Sequence, residues 1–180
     1  MKFTPQQLSD LEEIKQVKSR YCRGTDTCNE AMVREVFTED VAVHYRGGAY
    51  TAKLDGIEAM LDFLFNSHHS TFITMHHAHL PDIQFTGPDS AQGTWYCEDF
   101  HINFDHKVIT KGCLIYKDQY VRKDGVWKMS RTEYDRVWEA NEPLNENIEI
   151  TAHVLAKTGL KPAQRKDIGH LLKWKNREHA

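Results

Sequence analysis

The 180-residue chain has no run of about 18 apolar residues, the length a membrane-spanning helix needs. Its opening, "MKFTPQQLSD", lacks the apolar stretch of a secretory leader, so the expectation is a soluble, cytoplasmic protein. An excess of charge of one sign is also missing. Lys and Arg number 23 against 26 Asp and Glu, and the net charge of -3 offers no electrostatic footprint for nucleic acid or an anionic membrane. Four cysteines, Cys22, Cys28, Cys97 and Cys113, form no CxxC pair, which argues against a structural zinc or a disulfide framework and for reduced, packed thiols. Internal repeats and low-complexity tracts are absent as well. With 40% hydrophobic residues, a chain of this length can bury one continuous core.

What is present is strongly patterned. "TPQQLSDLEEIKQVKSRY" opens with Thr4 as N-cap, Pro5 at the first helical position and Gln7 where a capping box requires it. Leu8, Leu11, Ile14, Val17 and Tyr21 recur at helical spacing and predict one buried stripe, which Gly24 loosens at its end. Asp26 then falls in a connection before a second helix capped by Asn29, with Val33, Val36 and Phe37 buried. "DVAVHYRGGAY" reads as a short strand and a turn, and Ile57, Met60, Leu61 and Leu64 mark a third helix. From His76 onward strands alternate with turn signals, of which Asp124-Gly125 is the clearest hairpin. Helices followed by an antiparallel meander predict an α+β domain over residues 1–140, its helices covering one face of a curved sheet. Residues 141–180 form a tail of two short polar helices split at Gly159 and Pro162. Ile168, Leu171, Leu172 and Trp174 give that tail a stripe with which to dock on its own domain or on a neighbouring subunit.

Three segments contain residues that are expensive to bury. Period two in "AQGTWYCEDFHI" puts Trp95, Cys97, Asp99 and His101 on one face, so Asp99 requires a histidine or arginine neighbour unless the strand frays and leaves it in solvent. In the last strand Ser130, Thr132, Tyr134 and Arg136 share a polar face, with Trp127, Met129 and Val137 opposite; a pocket lining or an exposed sheet face both account for this. In "TMHHAH", His77 and His79 point one way and His76 the other, so the three cannot converge without a bulge. His77 and His79 are an HxH pair with no third ligand at recognisable spacing, and no metal is expected. A single core-facing histidine oriented by a carboxylate requires fewer coincidences.

At "SRYCRGTD", "TMHHAHLPDIQF", "GTWYCEDF" and "KDGVWKMSRTEYDRVWE" the chain resembles the SnoaL-like branch of the nuclear-transport-factor-2-like superfamily, over about residues 8–140. Within it, the strongest resemblance is to the bacterial bile-acid 7α-dehydratases, and a more distant one is to the hexachlorocyclohexane dehydrochlorinases. The resemblance implies a cone-shaped α+β barrel, with helices and a strongly curved sheet enclosing a blind pocket. It implies catalytic roles for Tyr21, Asp26, His76 and Asp99, with Tyr45, Arg136, Trp95 and Tyr116 binding substrate or supporting the site. His77, His79 and His101 make the wall more polar than the resemblance demands.

The implied activity is a cofactor-independent dehydratase acting on a hydroxylated steroid-like or polycyclic ketone. His76 removes a proton, Asp99 or Asp26 fixes its tautomer, Tyr21 and Tyr45 donate to substrate oxygens, and Arg136 pairs with Asp26. The implied partner is a small molecule, and the implied assembly is a homo-oligomer, a trimer before a dimer, with Trp138 and Trp174 as interface anchors. Two other readings stay open. One is an isomerase or polyketide cyclase of the same fold, which uses a carboxylate base. The other is a non-catalytic subunit or binding module such as the small subunit of a ring-hydroxylating dioxygenase.

Overall fold

The computed structural model describes residues 3–175. Helix α1 (Pro5–Asp26) starts with the expected capping box: the Gln7 backbone N–H donates to the Thr4 hydroxyl at 3.2 Å, and the Thr4 backbone N–H donates to the Gln7 side chain at 3.0 Å. Ile14, Val17 and Tyr21 are buried, but Leu8 is 53% exposed. The face that meets the sheet runs through Asp10, Ile14, Val17, Lys18 and Tyr21, and Leu8 lies two residues, about 200° of helix, from Asp10. Gly24 does not loosen the helix. A Cβ there would lie 2.8 Å from the Val33 side chain, so the glycine lets α1 and helix α2 (Glu30–Val36) approach closely. Helix α1 therefore continues two residues further, and Asp26 belongs to its last turn rather than to a connection.

Asn29 caps α2 by accepting from the Met32 backbone, and Phe37 begins strand β1 (Phe37–Arg46). Strand β2 (Tyr50–Asp55) pairs antiparallel with β1, and helix α3 (Ile57–Ser67) carries the predicted apolar positions into the core. Four long strands then form the antiparallel meander: β3 (Phe72–Gly87), β4 (Ser90–Asn103), β5 (Val108–Lys123) and β6 (Val126–Pro143). Asp124 and Gly125 both adopt positive φ, 52° and 78°, as a two-residue hairpin requires. Strand β1 lies parallel to β6, which closes a mixed sheet in the order β3-β4-β5-β6-β1-β2-β7, where β7 is the short strand Leu172–Trp174. The result is the α+β architecture the sequence implied, helices packed on a seven-stranded sheet.

Two further local predictions fail for identifiable reasons. In β6, Trp127 and Met129 face the core, yet Thr132 and Tyr134 face it too. Met129 sits opposite Tyr120 and Arg131 opposite Gln119, so Ser130 is an extra residue, and this bulge reverses the alternation. Among the described residues, the tail contains no pair of polar helices. It has one short turn of helix, α4 (Leu155–Thr158), two single 3-10 turns, and strand β7 (Leu172–Trp174), which pairs antiparallel with β2. Segments this short cannot offset helix nucleation, whereas the β2 edge presents unpaired backbone groups. Leu155 is buried, and Ile168, Leu171 and Leu172 pack against the chain's own core; residues 176–180 lie outside the described residues. Trp138 and Trp174 are exposed. Among the described residues, no helix is long and apolar enough to cross a membrane.

Candidate active site

The alternation of β3 directs Thr74, His76 and Ala78 inward and leaves His77 and His79 exposed, as period two predicts. A bulge does follow, between Ala78 and Pro81, but it comes after His76 and gathers no further imidazole beside it. His76 meets Asp26, which the extended end of α1 carries across to β3. One Asp26 carboxylate oxygen accepts from His76 Nδ1 at 2.7 Å, and the other accepts from the His76 backbone N–H at 2.9 Å. Burial alone would raise the Asp26 carboxyl, yet these bonds and the adjacent imidazole hold it below its ordinary range. The double contact makes Nδ1 the protonated nitrogen. Nε2 is left with a free lone pair and no hydrogen-bond partner among the described residues.

Of the two carboxylates considered for His76, the structure thus assigns Asp26. Asp99 stands directly opposite His76 on β4 but has other partners. His101 Nε2 donates to one of its oxygens at 3.1 Å and Arg136 Nη1 to the other at 2.6 Å. Burial would raise the Asp99 carboxyl; the bonds from His101 and Arg136 outweigh it and hold the group far below the usual carboxylate range. The expected Arg136–Asp26 pair does not form. Arg136 leaves β6 and crosses β5 at Gly112, where a Cβ would lie 2.6 Å from Arg136 Nη1 and 2.9 Å from Asp99, and this route ends at β4 rather than at α1. Arg136 Nε also lies 2.9 Å from Glu139.

His101 and His68 complete the cluster. The Thr74 hydroxyl lies 3.0 Å from His101 Nδ1, and the His76 and His101 ring centres are 5.6 Å apart. The His68 ring is 5.9 Å from that of His76, and its Nδ1 lies 2.9 Å from the Leu64 carbonyl oxygen. Burial pushes His68 down to about 3, and the two neighbouring imidazoles push it the same way. Burial also lowers His101, against the pull of Asp99.

The tyrosines are placed differently from the expectation of a blind pocket. The Tyr21 and Tyr45 hydroxyls bond to each other at 2.9 Å, and Tyr45 stacks on Tyr134 with ring centres 4.5 Å apart. Tyr116 packs edge-on against both Tyr21 and Tyr45, so the space between helices and sheet is filled by rings. Burial raises the Tyr21 hydroxyl far above an ordinary phenol and keeps it a neutral donor. The cavity that contains His76 and Asp26 is a cleft of about 810 Å³ between α1 and β3, with Lys18, Cys22 and Trp95 also in its wall. Its rim is exposed at His77, His79 and Leu80, so the cleft opens to solvent. Trp95 therefore reaches the site as expected; Tyr21, Tyr45 and Tyr116 stand behind it.

One group near the site was not read from the sequence. Lys18 is fully buried, donates to Asp118 at 2.9 Å and sits 3.2 Å from the Tyr116 ring centre. Asp118 also accepts from Tyr120, whose hydroxyl accepts from Trp95 Nε1 at 3.0 Å. The signal was present: Lys18 falls between Ile14 and Tyr21 on the core stripe, where a charge needs a partner, and Asp118 alternates with Tyr116 and Tyr120 on one face of β5.

The model of the SnoaL-like domain matches residues 6–133. The chain belongs to the SnoaL-like family. Solved structures agree on the fold. A type 2 hexachlorocyclohexane dehydrochlorinase, LinA, is 22% identical with TM-score 0.68, over 81% of this chain and 95% of that one. A Novosphingobium aromaticivorans protein that carries scytalone dehydratase as a proposed name is 21% identical with TM-score 0.69, over 84% of this chain and 99% of that one. ActVI-ORFA of Streptomyces coelicolor is 16% identical with TM-score 0.59, over 72% of this chain and 98% of that one. At these identities the likeness shows a shared fold. In this SnoaL-like chain the fold presents a carboxylate-oriented imidazole to an open cleft, an arrangement suited to moving a proton on a bound small molecule.

Proposed function

We propose that this protein is a cofactor-independent lyase, specifically a hydro-lyase that eliminates water from a hydroxylated steroid-like or polycyclic ketone, as the bile-acid 7α-dehydratases do. The observation that carries the reading is the pairing of His76 Nδ1 with Asp26, which leaves Nε2 as an oriented base at the cleft. In the proposed reaction Nε2 takes the proton from the carbon beside the carbonyl, and Asp26 stabilises the imidazolium that forms. The C–O bond then breaks, a C=C bond forms, and His76 returns its proton to the departing hydroxyl, which leaves as water. Tyr21 is the donor assigned to the substrate oxygen, a role that requires its bond to Tyr45 to be exchanged for one to substrate.

A volume of about 810 Å³ accommodates a multi-ring ligand, and Trp95, Cys22 and Ala78 give it apolar contact area. Dehydrochlorinase and dehydratase names among the similar structures are consistent with proton abstraction followed by loss of a leaving group. An isomerase or cyclase using a carboxylate base is disfavoured. Asp26 and Asp99 are both engaged by charged or hydrogen-bonding partners that keep them ionised and weakly basic.

The test is incubation with a panel of β-hydroxy ketones, including hydroxylated 3-oxo-4-ene steroids, read by conjugated-enone absorbance and by loss of one water in the mass spectrum. Wild type should convert at least one member. His76→Ala should abolish turnover with the circular-dichroism spectrum unchanged, and Asp26→Asn should lower kcat by about 10²–10⁴. Full activity in His76→Ala, or silence of wild type across the panel, would sink the reading.

A further inference from the structure

We propose that His76, Asp99 and His101 form a binding site for a divalent transition metal of the zinc class. One donor atom of each residue lies within 4.8 Å of a donor atom of the other two. Two imidazoles and one carboxylate are the ligand set that such ions favour, with water completing the shell. The expectation of no metal concerned the His77–His79 pair, which is exposed; the cluster that the fold assembles shares only the neighbouring His76.

The geometry is close to what coordination needs. Two ligands about 2.0–2.1 Å from a tetrahedral ion lie about 3.3 Å apart. His101 Nε2 and Asp99 Oδ2 are already 3.1 Å apart, so an ion can replace the proton they share, at the edge of its own polyhedron. The His76 donor atom requires an approach of up to about 1.5 Å from that 4.8 Å limit, within reach of a rotamer adjustment; with Nδ1 bound by Asp26, Nε2 is the nitrogen free to ligate. His76 is the member of the trio that belongs to the cleft wall, so it is the ligand through which the site borders the opening.

The surroundings resemble the outer sphere of a metal centre. Metal-ligating histidines typically donate their second nitrogen to a carboxylate or other acceptor, which fixes the ring and raises its basicity. His76 Nδ1 has Asp26 at 2.7 Å, and Thr74 holds His101 Nδ1 at 3.0 Å. Arg136 binds Asp99 Oδ1 and leaves Oδ2 for the ion. The charges permit a cation: Asp26, Asp99 and Glu139 bring three negative groups against the single positive charge of Arg136.

Occupancy has a consequence for catalysis. An ion on His76 Nε2 removes the lone pair that the elimination uses, so zinc would act as a reversible inhibitor. That consequence rests on the proposed function; the site itself does not, and binding is read without substrate. The experiment is a titration of the chelator-stripped full chain with Co²⁺, followed by visible ligand-field absorption, and with Zn²⁺, followed by calorimetry. Wild type should take up one ion with the absorption of a four- or five-coordinate N/O site. His101→Ala and His76→Ala should each abolish that absorption, and Asp26→Asn should weaken binding about 10- to 100-fold through the second sphere. The double variant His77→Ala/His79→Ala should bind as wild type does, and it serves as the folded control if a ligand variant fails to fold. Absence of Co²⁺ uptake by wild type would overturn the proposal, as would uptake that survives in His76→Ala and disappears in the double variant.

Discussion

Individual side chains around the cleft are held by partners from distant parts of the chain, and Lys18 shows the energetic cost most clearly. Both Lys18 and Asp118 have fully buried side chains, so neither charge is solvated if its partner is lost. Lys18→Met should destabilise the protein by about 3–5 kcal/mol, because Asp118 keeps its charge with only Tyr120 left as donor. The double variant Lys18→Met/Asp118→Asn should recover part of that loss. Urea unfolding of the two singles and the double tests this, and strictly additive losses would show that the pair is not coupled. The same logic applies to His76, whose Nδ1 is bound and whose Nε2 is open. One imidazole thereby acquires a direction that His101 lacks, since both nitrogens of His101 are engaged by Thr74 and Asp99; His68 is oriented through Nδ1 by the neutral Leu64 carbonyl oxygen, which offers an imidazolium no counter-charge.

Among the elements, β5 controls whether the polar cluster can assemble. Gly112 lies opposite Asp99 on one side and Glu139 on the other, and Arg136 passes over it. Gly112→Ala should force Arg136 and Asp99 apart, since the new methyl would lie 2.6 Å and 2.9 Å from them. The expected cost is about 1–3 kcal/mol, the penalty for a buried polar group that loses its partner. Chemical denaturation measures it; a midpoint equal to wild type would mean that Arg136 reaches Asp99 by another path. The elements also show what a single chain's pattern conveys. The capping box at Thr4, the α3 stripe, the alternation of β4 and the Asp124-Gly125 hairpin all depend on neighbours within a few residues, and all appear where the sequence puts them. The Ser130 bulge and the β7 pairing do not. Each is set by a partner strand whose register is invisible in the segment itself.

Across the whole molecule, the buried titratable groups make the fold sensitive to acid. An unfolded histidine titrates near about 6.5, whereas folded His68 stays neutral down to about 3. Between those values the unfolded chain binds a proton that the folded chain refuses. Stability is therefore complete above about pH 6.5 and falls as pH drops, by about 1.4 kcal/mol per unit for one such group. His101 acts in the same direction, and the depressed Asp26 and Asp99 carboxyls extend the loss below about pH 4, the ordinary carboxylate range. His68→Phe keeps a ring against Phe72 and should flatten the loss between about pH 6.5 and pH 5. Urea midpoints for wild type and variant at those two pH values decide it; parallel slopes would remove His68 as the cause.

The sequence by itself determined the α+β class, the helix caps, the placing of His76 on the face opposite His77 and His79, the place of Asp99 on the face of Trp95 and Cys97, and the need of a buried Asp99 for a cationic or imidazole partner. These follow from periodicity and from the cost of burying a charge, which act locally. Only the tertiary structure decided that Asp26 rather than Asp99 orients His76, that Arg136 serves Asp99, that the tyrosines fill the interior, and that the cleft opens between α1 and β3. Those outcomes depend on where α1 ends, on a glycine that lets one side chain cross a strand, and on bulges that reverse a face. Each is a long-range constraint, set by the packing of elements that are far apart in sequence.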